Sequence, residues 1–86
     1  MKLNKKFVRY DMDGKAMVIP LGDASFHGVV QGNRSVGVIL ECLERGATED
    51  EIVQTMYTRF DGDRNQMRAD VRDVVAKLKS IGAIDE

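Results

Sequence analysis

The sequence has 86 residues, of which 43% are hydrophobic and 31% charged, and its 13 basic residues are balanced by 14 acidic ones. This length and composition predict one compact globular domain, residues 1–86, and exclude a disordered or membrane-embedded chain. The formal net charge of −1 excludes a surface that attracts nucleic acid or anionic lipid as a whole, so any such binding needs a local patch.

The cellular compartment is predicted from the only cysteine and from the N-terminal segment. Cys42 has no partner for an intramolecular disulfide and too few companions for a zinc site, so we interpret it as a small buried hydrophobic residue. Residues 1–6 are basic, but no apolar stretch follows them, and no run of 18 apolar residues occurs in the chain. We therefore expect a cytoplasmic protein that is neither secreted nor membrane-spanning.

The first third of the chain predicts a β-hairpin. Residues 7–12 and 15–19 flank Asp13-Gly14, a dipeptide that favours the positive φ angles of a two-residue type I′ turn. This turn fixes the register, with the opposed pairs Met12–Lys15, Tyr10–Met17 and Val8–Ile19. One face then carries five apolar residues: Val8, Tyr10, Met12, Met17 and Ile19. We expect that face to be the core, because the other face carries the charged Arg9 and Asp11 beside Phe7 and Val18.

A third, shorter strand is predicted after a turn. Pro20 lacks the amide that a continuing ladder needs, and residues 21–25 are typical of a turn. Residues 26–31 follow as the strand, interrupted by Gly28. Its missing side chain allows either close backbone packing with a bend or the close approach of a partner backbone, and both interpretations remain open.

From Asn33 onwards the hydrophobic spacing becomes helical. The first helix has Asn33 or Ser35 as its N-cap and ends at Gly46. The second begins with a capping box formed by Thr48 and Glu51. The third begins after Asp63 and has the most regular apolar stripe: Met67, Val71, Val74, Val75, Leu78 and Ile81. The order of elements predicts an α+β fold with a winged helix-turn-helix-like architecture, a three-stranded antiparallel sheet followed by three helices.

The residues that carry enzymatic chemistry are sparse. His27 is the only histidine, and we interpret it as a strand residue that touches a bound peptide rather than as a catalyst. The glycines match no dinucleotide or phosphate-binding fingerprint, and the acidic residues lack calcium-loop spacing. We expect no catalytic residue, no metal and no cofactor.

A basic row lies along the third predicted helix. At 100° per residue, Arg64, Arg68, Arg72 and Lys79 share one quadrant beside the apolar stripe. Three interpretations remain open: a solvated flank, a site for peptide carboxylates, and a site for DNA phosphates. Of the two binding interpretations, peptide carboxylates are favoured over DNA phosphates, because the acidic second helix nearby would repel a polyanion.

Two segments, taken with the order of elements, resemble the PqqD-like family, which includes the pyrroloquinoline quinone biosynthesis peptide chaperone and recognition elements of ribosomal-peptide natural product pathways. They are Gly46-Ala47-Thr48-x-x-Glu51-Ile52-Val53 and Asp70-Val71-x-x-Val74-Val75-x-x-Leu78-x-x-x-Gly82-Ala83-Ile84. The resemblance extends from about Phe7 to Ile84. It implies a domain that binds the leader segment of a precursor peptide by strand addition and presents it to a modifying enzyme, often a radical SAM maturase.

The predicted peptide contacts lie on the third strand and the third helix, where the family binds its leader. They are Phe26, His27, Gly28, Val29, Val30, Gln31, Met67, Arg68, Val71, Arg72 and Val75. Arg68 and Arg72 are expected to pair with acidic leader residues, since guanidinium groups suit carboxylates. The alternatives are a DNA-binding regulator that uses the third helix, and an adaptor that binds only the maturase. The open strand edge also allows a homodimer.

Overall fold

The structure is a computed structural model that describes residues 1–22, Ala24, Gly28 and residues 30–86. Its elements are, in chain order, β1 (Lys2–Leu3), β2 (Phe7–Met12), β3 (Lys15–Pro20), β4 (Val30–Gly32), α1 (Arg34–Arg45), α2 (Glu49–Arg59), α3 (Arg64–Ser80) and β5 (Ile84–Asp85). Strands β2, β3 and β4 form an antiparallel sheet in that order. The predicted α+β fold, a three-stranded antiparallel sheet followed by three helices, is therefore confirmed.

The hairpin has the predicted turn and the predicted register. Asp13 and Gly14 have φ angles of 52° and 76°, both positive as a type I′ turn requires. Tyr10 lies opposite Met17, and Val8 lies opposite Ile19. A dipeptide with access to positive φ thus determines which residues of the two strands meet.

The predicted core face of the hairpin is wrong. Phe7, Ala16 and Val18 on the other face are buried, whereas Val8, Tyr10 and Met12 point outward and are exposed. We call the buried side, with Phe7, Ala16 and Val18, the inner face of the sheet, and the exposed side the outer face.

Packing against α1 explains why the less apolar face is the inner one. A Cβ added to Gly37 of α1 would lie 3.4 Å from the Cβ of Ala16, so small residues on both elements let the helix approach the sheet closely. Arg9 and Asp11 do not prevent this approach, because they lie on the edge strand β2. There Arg9 binds Glu44 of α1 at 2.5 Å and Asp11 at 2.7 Å, and all three side chains keep access to solvent.

The helices begin where their capping residues predict. Asn33 caps α1 by accepting from the amide of Val36, and Asp63 caps α3 by accepting from that of Asn65. Thr48 and Glu51 form the capping box of α2. Of the two N-caps considered for α1, Asn33 is the one used.

One core joins the inner face of the sheet to the three helices. Its fully buried members include Val18 of β3, Ile39 and Leu40 of α1, Ile52 of α2 and Val71 of α3. Cys42 is also buried, as predicted. A second sheet, which the sequence did not predict, pairs β1 with β5 and brings the two ends of the described chain together.

Candidate functional site

The free edge of β4 is the first component of the candidate site. Within the described ranges, β4 has a strand neighbour on one side only, β3, which pairs Val18 with Val30, Met17 with Gln31 and Ala16 with Gly32. The third predicted strand is thus confirmed at Val30 and Gln31 and continues to Gly32.

Gln31 presents its backbone to that free edge. The amide of Leu21 donates to the carbonyl of Lys6 at 2.7 Å, which marks this pair as one that exchanges ladder hydrogen bonds. Bonded and non-bonded pairs alternate in an antiparallel ladder. Counting in steps of two from Lys6–Leu21, Met17 forms its ladder hydrogen bonds with β2, whereas Ala16 and Val18 form theirs with β4. On β4 the bonded partners are therefore Val30 and Gly32. The N–H and C=O of Gln31, between them, point away from β3.

The opposite edge of the sheet is protected by charge. Arg9 of β2 lies on the inner face and holds Asp11 and Glu44 around itself. Inward-pointing charged residues are a common device that keeps an edge strand from pairing with another chain. Of the two edges, that of β4 is the one suited to accept a strand.

A small apolar cavity of about 90 Å³ lies between β4 and α3. Val18, Val36 and Leu40 contribute to its floor, and Val74 and Leu78 of α3 form its far wall. We call this cavity, together with the free edge of β4, the β4–α3 groove. An apolar cavity beside unpaired backbone is the arrangement by which strand-adding sites obtain both affinity and selectivity.

Lys77 is the cation that lines this cavity. It is exposed, and the ion pairs found among the described residues do not include it. Lys77 and Val74 are three positions apart and share a side of α3. The β4–α3 groove therefore has an apolar interior and a positively charged rim.

Arg68 and Arg72 lie on another flank of α3, where they bind α2. Arg68 bonds to Glu49 at 2.6 Å and to Asp50 at 2.8 Å, and Arg72 bonds to Glu49 at 2.8 Å. Hydrogen bonds from Arg72 and then Arg68 lower the pKa of Glu49, and those bonds in turn raise the pKa of each guanidinium. At 100° per residue, Arg72 is roughly 160° around the helix from Val74. The structure therefore separates the two arginines from the groove.

A larger depression, of about 310 Å³, lies between the hairpin and α1. Most of its lining residues are charged, among them Arg9, Asp11, Arg34 and Glu41. Arg9 is already held there by Asp11 and Glu44, and the adjacent edge of β2 is the protected one. This depression therefore lacks the open backbone that makes the β4–α3 groove a site for an extended chain.

Comparison with known proteins agrees with this architecture. The family model for coenzyme PQQ synthesis protein D (PqqD) matches residues 9–84. The chain belongs to the PqqD family. The expected membership, which came from helix punctuation and hydrophobic spacing, is thus confirmed. No match is found among the curated proteins.

Two solved structures share the fold of this PqqD-family chain. One is TbiB1 in complex with the TbiA(beta) leader peptide, with a TM-score of 0.81 and 21% identity over 99% of this chain and 95% of that one. The other is lasso peptide synthetase B1 complexed with the leader peptide, with a TM-score of 0.75 and 17% identity over 95% and 93% of the two chains. At these identities the likeness concerns the fold.

The predicted site residues of the PqqD-family chain fall into distinct places. Val30 and Gln31 form part of the β4–α3 groove. Gly28 lies in a bend before β4, and Phe26, His27 and Val29 lie outside the described residues. The predicted helix residues are elsewhere: Met67, Val71 and Val75 are buried in the core, and Arg68 and Arg72 contact α2. Direct contact of these five with a peptide stays a prediction.

Sequence reasoning missed Val18, Val36 and Leu40 as groove residues and, above all, Lys77, the cation at the rim. The helical spacing of α3 already places it beside Val74, but the basic row on the other flank drew attention to the arginines. Only the position of β4 shows which flank of α3 borders an open edge. Elsewhere in the described ranges, no three histidine, cysteine or acidic residues are grouped to hold a metal ion, and no helix is long and apolar enough to cross a bilayer.

Proposed function

We propose that this PqqD-family chain binds the leader segment of a ribosomally made precursor peptide and presents it, without catalysis, to a modifying enzyme. The peptide adds as a strand to β4 and lies beside α3. The observation that carries this proposal is the free backbone of Gln31 next to the apolar β4–α3 cavity. Family membership and the leader peptides named for the two similar structures support it.

Backbone pairing supplies the part of the affinity that is independent of sequence. A peptide residue opposite Gln31 exchanges two hydrogen bonds with it, and the strand extends the sheet to four strands. A leader is disordered before it binds, so ordering costs part of the interaction energy. A micromolar dissociation constant, about −8 kcal/mol, is the affinity expected for such a site.

The cavity and its rim supply the selectivity. A space of about 90 Å³ lined by Val18, Val36 and Val74 accepts an apolar side chain of the peptide. Lys77 at the rim favours an acidic residue nearby, since a carboxylate there would meet a cation without a partner among the described residues. We expect a leader in which an apolar residue and an acidic residue are close in sequence.

The partners follow from the same proposal. The modifying enzyme is a radical SAM maturase, as the family resemblance implies, and the complex forms in the cytoplasm, where the free thiol of Cys42 stays reduced. A second copy of the chain can pair with the edge of β4 when no peptide is present, so a homodimer competes with peptide capture.

The ion pairs of α3 argue against the alternative of a DNA-binding regulator. Arg68 and Arg72 are bound to carboxylates of α2, and Arg64 bonds to Gln54 and lies over the ring of Tyr57, 4.9 Å from its centre. Phosphates at this row would meet Glu49 and Asp50. Peptide capture at the β4–α3 groove involves no such repulsion.

A titration followed by NMR tests the proposal. The probe is a synthetic peptide that corresponds to the N-terminal segment of a short reading frame beside the gene for this chain. We expect a micromolar dissociation constant and the largest amide shifts at Val30, Gln31 and the α3 residues Val74 and Lys77. Binding with shifts confined to the α2–α3 contact, or no binding by such a peptide, would overturn the proposal. Duplex DNA serves as the comparison ligand, and tight binding that falls steeply with salt would favour the regulator instead.

A further inference from the structure

The outer face of the sheet is apolar although it does not contribute to the core. Val8, Tyr10 and Met12 are 41%, 50% and 49% exposed, and Met17 and Ile19 beside them are half-buried. An antiparallel sheet with one face on the core usually carries polar residues on its solvated face. Here five apolar side chains occupy that face, and we call them the outer patch.

The outer patch is continuous. Tyr10 is directly opposite Met17, and Val8 is directly opposite Ile19, so these side chains form two adjacent cross-strand pairs. Large contiguous apolar patches exposed on monomers are often functional. Tyrosine and methionine are also enriched at protein interfaces.

Lysines border the outer patch at both ends of the hairpin. Lys15 is opposite Met12, and Lys6 is opposite Leu21, so both lysines lie on the outer face. Both are exposed, and neither takes part in the ion pairs that the described part of the chain contains. Asp11, the acidic residue within β2, lies on the inner face and binds Arg9. The patch is therefore an apolar surface with a lysine at each end; Asp13, in the turn, is the exposed carboxylate beside Lys15.

We propose that the outer patch is the docking surface for the enzyme that acts on the captured peptide, and that the enzyme meets it with apolar residues bordered by carboxylates. This inference rests on the proposed function for the identity of the partner. The lysines favour such a partner over a second copy of this chain, because a second copy would bring further lysines to the border where an enzyme can bring carboxylates.

The position of the patch permits a ternary complex. The β4–α3 groove opens between the edge of β4 and α3, whereas the outer patch covers β2 and β3 on the opposite side of the sheet from α1. A peptide in the groove therefore leaves the patch uncovered. The enzyme binds the recognition domain and receives the peptide from it without competition for one surface.

A double variant with a matched control tests the proposal. Tyr10→Gln with Met12→Gln removes the apolar contacts, and Tyr57→Gln is the control, because Tyr57 on α2 is exposed to nearly the same extent, 48%. A radical SAM enzyme is first sought among the genes next to that of this chain, and its binding is then measured by calorimetry with the synthetic leader peptide present. We expect the double variant to weaken maturase binding at least tenfold and to leave peptide affinity unchanged, whereas the control changes neither.

Each other outcome has a defined meaning. Unchanged maturase binding by the double variant would overturn the proposal, and so would an equal loss of peptide and maturase binding. A concentration-dependent dimer in sedimentation that the double variant abolishes would assign the patch to a second copy. If wild-type protein binds the maturase through Tyr10 and Met12 but binds no peptide, the docking surface stands and the proposed function fails. Lys6→Glu with Lys15→Glu should weaken maturase binding severalfold, most strongly at low salt.

Discussion

Gly32, the last residue of β4, lies directly against the side chain of Val36 in the first turn of α1. A Cβ on Gly32 would come within 2.5 Å of Cγ2 and 2.6 Å of Cβ of Val36. Real Cβ atoms do not approach each other so closely, and the Cβ of Val36 cannot move without its helix. The absence of a side chain at this residue therefore lets β4 turn into α1 and places Val36 in the lining of the β4–α3 groove.

Gly32→Ala should destabilise the protein by about 1–3 kcal/mol, the usual cost of overpacking, because β4 or α1 must shift. The midpoint of urea unfolding measures this loss. Gly22→Ala is the matched control, since no atom of the described residues lies within 4 Å of a Cβ at Gly22. Equal stability of the two variants would show that the junction accommodates a methyl group and that Gly32 has no special role there.

The free backbone of Gln31 predicts different effects of two substitutions at one residue. Gln31→Pro removes an amide that points away from β3, so the sheet should stay folded while a peptide strand loses a hydrogen bond and meets the proline ring. We expect roughly tenfold weaker binding of the synthetic leader peptide, in line with ~0.5–1.5 kcal/mol for the bond plus a steric cost.

Gln31→Ala keeps the amide and should bind the peptide nearly as wild type does. Fluorescence anisotropy measures both affinities, and circular dichroism checks the fold. Equal binding by the proline and alanine variants would argue that the peptide does not pair with β4.

Charge reversals at Lys77 and Arg72 test which of the two cations binds the acidic residue of the peptide. Lys77→Glu should weaken binding of an acidic leader peptide by about fivefold, because an exposed ion pair contributes ~0.2–1 kcal/mol and charge reversal adds repulsion. The difference should shrink as salt is raised.

Arg72→Glu is the matched charge reversal on the flank that faces α2. It should leave peptide affinity unchanged while lowering stability slightly, since it places a carboxylate beside Glu49. The reverse pattern, with Arg72→Glu weakening the peptide and Lys77→Glu neutral, would support the direct role of the arginines expected from the sequence.

The ion pairs between α2 and α3 predict an acid-sensitive part of stability. Hydrogen bonds from Arg72 and Arg68 hold the pKa of Glu49 below the ordinary carboxyl value of about 4.3. A group whose pKa is lowered by folding stabilises the fold above its unfolded pKa, and that contribution disappears as pH falls through the folded pKa. Stability should therefore decline from about pH 5 downwards more steeply in wild type than in Glu49→Gln.

Urea midpoints between about pH 3 and pH 7 measure this difference, which should be small because the ion pairs of Glu49 keep access to solvent. The double variant Arg68→Gln with Arg72→Gln should show a profile at least as flat as that of Glu49→Gln, since it removes both ion pairs of Glu49 and also the pair of Arg68 with Asp50. A profile for Glu49→Gln as steep as that of wild type would assign the acid sensitivity to other carboxyl groups.

Much of the local structure was predictable because it depends on residues a few positions apart. Asp13-Gly14 determined the turn and the register, and Asn33, Thr48 and Asp63 determined where helices begin. The two-residue strands β1 and β5 were missed, because they carry no periodic pattern and form only when the two ends of the chain meet.

The candidate site was predictable only in part. The third strand was predicted to be the site of strand addition, and two of its residues, Val30 and Gln31, border the β4–α3 groove. The basic row of α3 was assigned to the peptide because helical spacing shows which residues share a flank but not what that flank contacts. Glu49, 23 positions from Arg72, lies across from it only after α2 and α3 have packed together.

The sequence by itself therefore determined the family, the order of elements, the hairpin register and the helix caps, all of which follow from short-range stereochemistry and spacing. The tertiary structure alone decided which face of the hairpin meets α1 and which flank of α3 borders β4. Counting apolar residues favoured the face with Tyr10, whereas the fit of α1 depends on the small Ala16 opposite Gly37. Shape complementarity between α1 and the hairpin determines which face is buried, and the apolar outer patch is therefore left exposed to solvent.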